Sequence, residues 1–247
     1  MRLKIPFLFL MMALLTSVAP AFAGGGVKKV LMVVTSSAQL PDGKPTGLWL
    51  EEFAVPFLMF KEAGYRVTVA SPAGGKAPVD PRSLEDKKKV QRWSRVAAEL
   101  DETMPLAEVV AERYDAVFLP GGHGTMFDFP GDATLKALLN KFAASDKVIA
   151  AVCHGPAGLV GVKKADGTPL VAGKTITAFT DAEEKAIQLD KVVPFLLESR
   201  LREEGAKFVV GQKWAAHTQV DGLLVTGQNP ASSAGTAEAV IRMLKSR

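Results

Sequence analysis

Four short apolar runs, rich in β-branched residues and set apart by helical patterns, constrain this chain more than any other feature. They are residues 30–35 (VLMVVT), 66–71 (RVTVAS), 115–119 (DAVFL) and 147–152 (KVIAAV). Three of them lack the polar alternation of a half-exposed strand and suit strands buried on both faces. Between them lie helical spacings at 53–63, ended by Gly64, and at 133–144, with Asp132 as a cap. Pro56 cannot sit deep in a helix and so marks a start or a kink. Residues 106–112 read as a short helix, and 73–103 as a polar, irregular surface excursion. Further on, the pattern gives a short helix at 156–160, strands near 175–178, 208–210 and 223–226, and helices over 193–204 and 231–245. Strands alternating with helices imply an α/β fold, a mostly parallel sheet with helices on both faces. No repeat, low-complexity tract or linker inside 27–247 argues for a second domain, and 247 residues suffice for one sizeable core.

The first 23 residues follow a different logic. Arg2 and Lys4 precede an apolar run over 5–18, then Pro20 and the small-residue pattern Ala21-Phe22-Ala23. This is the layout of a secretory signal peptide cut after Ala23. The run is shorter than the ~20 residues a membrane anchor needs. The expected mature protein is exported, periplasmic or secreted, with no membrane contact after cleavage. The whole chain carries 30 basic and 26 acidic residues; loss of Arg2 and Lys4 leaves 28 against 26, or +2. Such a balance gives no reason to expect nucleic acid as a partner. Lys87-Lys88-Lys89 follows Glu85-Asp86 and reads as solvated surface.

Cys153 is the only cysteine, so no internal disulfide is available to an exported chain. It ends the fourth apolar run and is followed by His154-Gly155-Pro156. A strand ending at a nucleophile, with a turn and helix next, describes a nucleophile elbow above the C-terminal edge of a sheet, where ligands of open α/β sheets bind. The helix start is expected to favour the thiolate. Pro120-Gly121-Gly122-His123-Gly124 brings bare backbone amides to the same edge, suited to an oxyanion. Of Glu51 and Glu52, one should face the site, where burial suits a carboxyl to acid–base work.

Taken together, AVCHGPAGL (151–159), FLPGGHGTMFDFP (118–130), TGLWLEEFAVPF (46–57), GKTITAFTDAEE (173–184) and LVTGQNPASS (224–233) resemble the ThiJ/PfpI superfamily, which has a class I glutamine amidotransferase-like fold. The resemblance is closest to the glyoxalase III branch, also described as heat-shock chaperones. It implies a single-domain, flavodoxin-like architecture. It also implies Cys153 as nucleophile, with His154 beside it and Glu52 on the thiol. An acid orienting His154 falls on Glu184, with Glu183 as the alternative, and Gly121 and Gly122 fall near the oxyanion. No cofactor is implied, and no metal ligands can be placed.

The activity implied is conversion of a small reactive aldehyde, methylglyoxal, to D-lactate without glutathione, as by a D-lactate dehydratase (a lyase). Unfolded or glycated proteins are alternative partners, through holdase or deglycase action, and a cysteine peptidase is a further alternative. A homodimer is one assembly the resemblance implies, although no interface signal in the sequence supports it. A glutamine amidotransferase fits poorly: Ala151 stands two before Cys153, and Thr218-Gln219 follows His217.

Overall fold

The computed structural model describes residues 26–247, so the expected signal peptide, with its cleavage point after Ala23, lies outside the described residues. The strands are β1 (Lys29–Val33), β2 (Arg66–Ser71), β3 (Met104–Pro105), β4 (Ala116–Leu119), β5 (Val148–Val152), β6 (Thr175–Ile176), β7 (Lys207–Phe208), β8 (Thr218–Asp221) and β9 (Leu224–Gly227). The helices are α1 (Leu50–Glu62), α2 (Lys87–Ala97), α3 (Thr125–Asp128), α4 (Ala133–Ala144), α5 (Asp181–Ala186), α6 (Leu197–Glu203) and α7 (Ser233–Lys245). Seven strands form one sheet in the order β3-β2-β1-β4-β5-β9-β8. All neighbours are parallel except the β8–β9 hairpin. The central order β2-β1-β4-β5-β9 is the doubly wound flavodoxin-like arrangement expected. A separate parallel pair joins β6 to β7.

Alternation along the buried strands builds two cores. Val30, Met32, Phe118, Ala150 and Val152 face α1 and α7, against Phe53, Phe60 and Val240. Leu31, Val33, Val117, Leu119, Ile149 and Ala151 face α4, against Leu135, Leu139 and Phe142. Each strand is therefore apolar at consecutive positions, which is why the runs stood out in the sequence.

Several elements depart from the sequence expectation. The region 73–103 is not irregular: it holds α2, whose Asp86 cap accepts from the Lys88 and Lys89 amides. Trp93 and Val96, three apart, form its narrow buried face. Charges on every other face mask that spacing. Pro56 lies inside α1, where it leaves the Glu52 carbonyl without its usual helical donor. The expected helix at 193–204 begins only at Leu197, because Pro194 biases Val193 away from helical geometry. Residues 106–112 form two single 3₁₀ turns, with the β-branched pair Val109-Val110 extended between them. β8 escaped notice because its residues are mostly half-exposed, at the sheet edge.

Candidate active site

The site sits at the C-terminal edge of the sheet, where β4, β5 and β9 end. Beyond β5, Cys153 adopts φ +59°, a left-handed conformation rare for a non-glycine residue. Two bonds hold it there: its amide donates to the Gly227 carbonyl at 2.9 Å, and its carbonyl accepts from the Phe179 amide at 2.9 Å. Strain maintained by surrounding structure is characteristic of an elbow that presents a side chain. The segment that follows is a 3₁₀ turn, Gly155–Leu159, too short to supply the helix field expected from sequence.

Cys153 Sγ lies 3.3 Å from His154 Nδ1. His154 Nε2 in turn donates to Glu184 Oε2 at 2.7 Å. Of the two neighbouring acids, Glu184 faces the histidine. Glu183 instead closes the capping box of α5 with Thr180 and accepts from the Trp214 amide, Gln228 and Asn229. Burial opposes ionisation of Glu184, but the electrostatic pull of His154 and the N–H bonds from His123 and His154 outweigh it. They hold the carboxyl well below its usual range. The three groups make a thiol–imidazole–carboxylate series, in which the carboxylate fixes the ring and steadies an imidazolium.

Glu52 enters from the first turn of α1 and is completely buried. Its Oε2 accepts from the Gly121 amide at 2.7 Å, and its Oε1 has no hydrogen-bond partner among the described residues. Burial pushes this carboxyl up to about 8, against the opposing pull of Cys153 and the Gly121 amide. It is therefore protonated at neutral pH, with a proton to give. The Cys153 thiol is also pushed well above its usual value, first by burial and then by Glu52. This environment opposes the thiolate that the elbow was expected to favour: burial and Glu52 hold the thiol protonated at rest.

Glycines allow this crowding. A Cβ on Gly121 would lie 2.6 Å from the His154 amide and 2.7 Å from Glu52 Oε2. Gly122, at φ +99°, leaves no room for a Cβ against Gly47 and Trp49. The Trp49 amide donates to Gly121, and the Gly124 amide to Gly47. The segment beginning Thr46-Gly47 is thus stitched to the turn after β4, bringing Glu52 to Cys153. The Gly121 amide suggested for an oxyanion is engaged by Glu52 at rest, and Gly122 follows it along the same turn.

Sequence reasoning assigned no role to three residues now seen around this series. His123 Nε2 bonds to Glu184 Oε1 at 2.9 Å, and its ring centroid lies 4.1 Å from that of His154. Arg82 Nη2 lies 3.0 Å from His123 Nδ1, while the same guanidinium pairs with Asp80 at 2.6 Å. His123 was visible within the glycine-rich motif; Arg82 and Asp80 were hidden in the polar excursion. Ligand atoms of His123, His154 and Glu184 lie within 4.8 Å of one another. They do not fit a metal ion. A guanidinium offers only donors, so His123 Nδ1 carries the lone pair and Nε2 the proton. The nitrogen that would have to bind a metal is therefore occupied, beside a fixed cation.

Comparison with known proteins bears on the family and the fold. The chain is 35% identical over 240 residues to the glutathione-independent glyoxalase hsp3101 of Schizosaccharomyces pombe, covering 88% of this chain and 96% of that one. Among solved structures, Rapid Encystment Protein 24 kDa of Francisella tularensis superimposes with a TM-score of 0.84 at 34% identity, covering 88% of this chain and 99% of the other. Glyoxalase III of Candida albicans does so with a TM-score of 0.78 at 33% identity, covering 87% and 96%. The sequence pattern of the DJ-1/PfpI family matches residues 46–243. This chain belongs to the DJ-1/PfpI family.

Proposed function

We propose that this protein is a glutathione-independent glyoxalase that converts methylglyoxal to D-lactate through a covalent adduct on Cys153. The observation that carries the reading is the convergence of a protonated buried carboxyl, Glu52, and a thiol–imidazole–carboxylate series on one sulfur. Relatives named as glyoxalases support the same reading.

In the first step His154 Nδ1 takes the thiol proton, the sulfur adds to the aldehyde carbon, and Glu52 gives its proton to the carbonyl oxygen, giving a hemithioacetal and leaving the Glu52 carboxylate as a base. Addition acidifies the remaining C–H of that carbon. A base removes that proton, an enediol forms, and the neighbouring carbon is reprotonated, leaving a lactyl thioester. The Glu52 carboxylate is the group placed to carry this proton, while His154 keeps the thiol proton until the sulfur departs. Water then cleaves the thioester, releasing lactate and restoring the thiol. The carbons exchange oxidation states internally, so no external cofactor is required. As Glu52 turns to move the proton, it frees the Gly121 amide for the oxyanion, with Gly122 beside it. The N-terminal pattern supports action outside the cytoplasm, on reactive carbonyls reaching the cell envelope.

The test is to incubate purified mature protein with methylglyoxal, without glutathione, and assay D-lactate. Cys153→Ala should abolish product. Glu52→Gln should lower turnover by about 10²-fold or more, as for loss of an acid–base group. No D-lactate from wild type with a reduced thiol would overturn the reading. Aggregation suppression that survives Cys153→Ala would favour a holdase instead, and peptide cleavage that requires Cys153 a peptidase. Recovery of cytosolic protein with residues 1–23 intact would refute export.

A further inference from the structure

We propose that Arg82 and His123 are positioning residues that decide which of two buried histidines holds the proton taken from Cys153. The inference rests on the reading of Cys153 as nucleophile, but not on any particular substrate.

The two imidazoles are nearly equivalent toward Glu184. Each points Nε2 at one carboxylate oxygen, at 2.9 Å for His123 and 2.7 Å for His154. Both are buried, with ring centroids 4.1 Å apart. One carboxylate between them can balance one imidazolium, and a second would leave uncompensated buried charge. Only a proton on His154 is productive, because only its Nδ1 faces the sulfur.

Arg82 breaks the symmetry. Its Nη2 donates to His123 Nδ1, the only nitrogen on that ring able to accept a proton. Asp80 holds the guanidinium through Nε and Nη2, and Thr46 donates to Asp80 from behind. Protonating His123 would set an N–H against an N–H and place two cations together. The charged and titratable groups around His123 are then Arg82, with Asp80 behind it, Glu184, and His154 with Cys153 beyond. Burial and His154 also hold His123 down to about 4. The S–H bond therefore breaks and an N–H bond forms on His154 Nδ1. The electron pair stays on sulfur, and Glu184 balances the new imidazolium. Removing Arg82 makes His123 a competing base. A proton there claims the Glu184 charge, so His154 accepts the thiol proton less readily.

Nitrogen NMR of ¹⁵N-histidine protein tests this, because the chain has only three histidines and His217 serves as a control. Wild-type His123 should remain neutral, with its proton on Nε2, from about pH 5 to about pH 9. In Arg82→Met, His123 should titrate at least about one pH unit higher than in wild type. Iodoacetamide alkylation of Cys153 should fall about twofold against wild type near pH 5, where the variant's His123 is half charged, and match it near pH 8. Arg82→Lys, which keeps a cationic donor, should restore a neutral His123. If Arg82→Met does not fold, the wild-type spectrum and Arg82→Lys decide the matter. Wild-type His123 charged or protonated on Nδ1 at neutral pH would overturn the proposal. So would a folded Arg82→Met with unchanged His123 titration and alkylation profile. Neither readout uses methylglyoxal, so failure of the glyoxalase reading leaves the test intact.

Discussion

Two carboxyls near one sulfur are driven in opposite directions, and the cause is what each can reach. Glu184 meets two imidazole N–H groups and stays ionised, whereas Glu52 meets one amide and takes a proton. The difference has a measurable sign. The folded pKa of Glu52, about 8, lies above its ordinary 4.5, so its burial costs no ionisation energy in acid. As pH rises past 4.5 the unfolded chain releases the proton first, and stability falls until about pH 8. Glu52→Gln should therefore be more stable than wild type at about pH 8 by a margin absent at about pH 4, up to about 5 kcal/mol. Urea melts at the two pH values would show it, and a pH-independent difference would refute the assignment. D-lactate formation by wild type should also decline above about pH 8, as Glu52 loses its proton. Gly121→Ala, by forcing a methyl group between His154 and Glu52, should cost about 1–3 kcal/mol and most of the turnover. Denaturation and D-lactate assays report the two losses separately.

Among the elements, α5 shows how a short helix assigns different work to adjacent acids. Thr180 and Glu183 close its capping box, and the next residue, Glu184, is turned toward the histidines. Glu183 accepts from Thr180, Trp214, Gln228 and Asn229, whose segments all lie beside the site. Glu183→Gln offers an amide N–H₂ to those donors and should destabilise the fold by about 2–4 kcal/mol. Glu184→Gln should instead reduce thiol alkylation near neutral pH with a smaller stability change, and thermal melts beside alkylation rates separate the two. The sequence made this pair visible without deciding between its members, since that choice depends on which way the first turn faces. In the same way β1, β4 and β5 were legible because both of their faces are buried, and Cys153 because it ends one of them. α2 was not, since only Trp93 and Val96 are buried along it. Arg82 and Asp80 were missed with it: two charges in a polar stretch give no local sign that the fold carries them into a buried site.

Across the whole molecule, residues far apart in the chain meet at one edge of one sheet: Thr46 to Glu52, Asp80 to Arg82, Gly121 to His123, Cys153-His154 and Thr180 to Glu184. Cys153 belongs to the core that faces α1 and α7, with 4% of its surface exposed. A bulky aromatic disulfide reagent should therefore modify it only as the protein unfolds globally. Its labelling rate across a urea series should follow the circular dichroism transition. Labelling that precedes unfolding would point to local opening of the site. The bond from the Cys153 amide to Gly227 has a consequence for how the protein is made. That carbonyl, with Gln228 and Asn229 next to it, is made well after the cysteine it anchors. Until then the elbow lacks one of its two anchors, and Glu183 lacks two of its donors. A growing or truncated chain carries the cysteine but not the geometry that directs it. The anchored elbow is assembled only once the chain has emerged past Asn229, so a shorter product holds an exposed, undirected thiol.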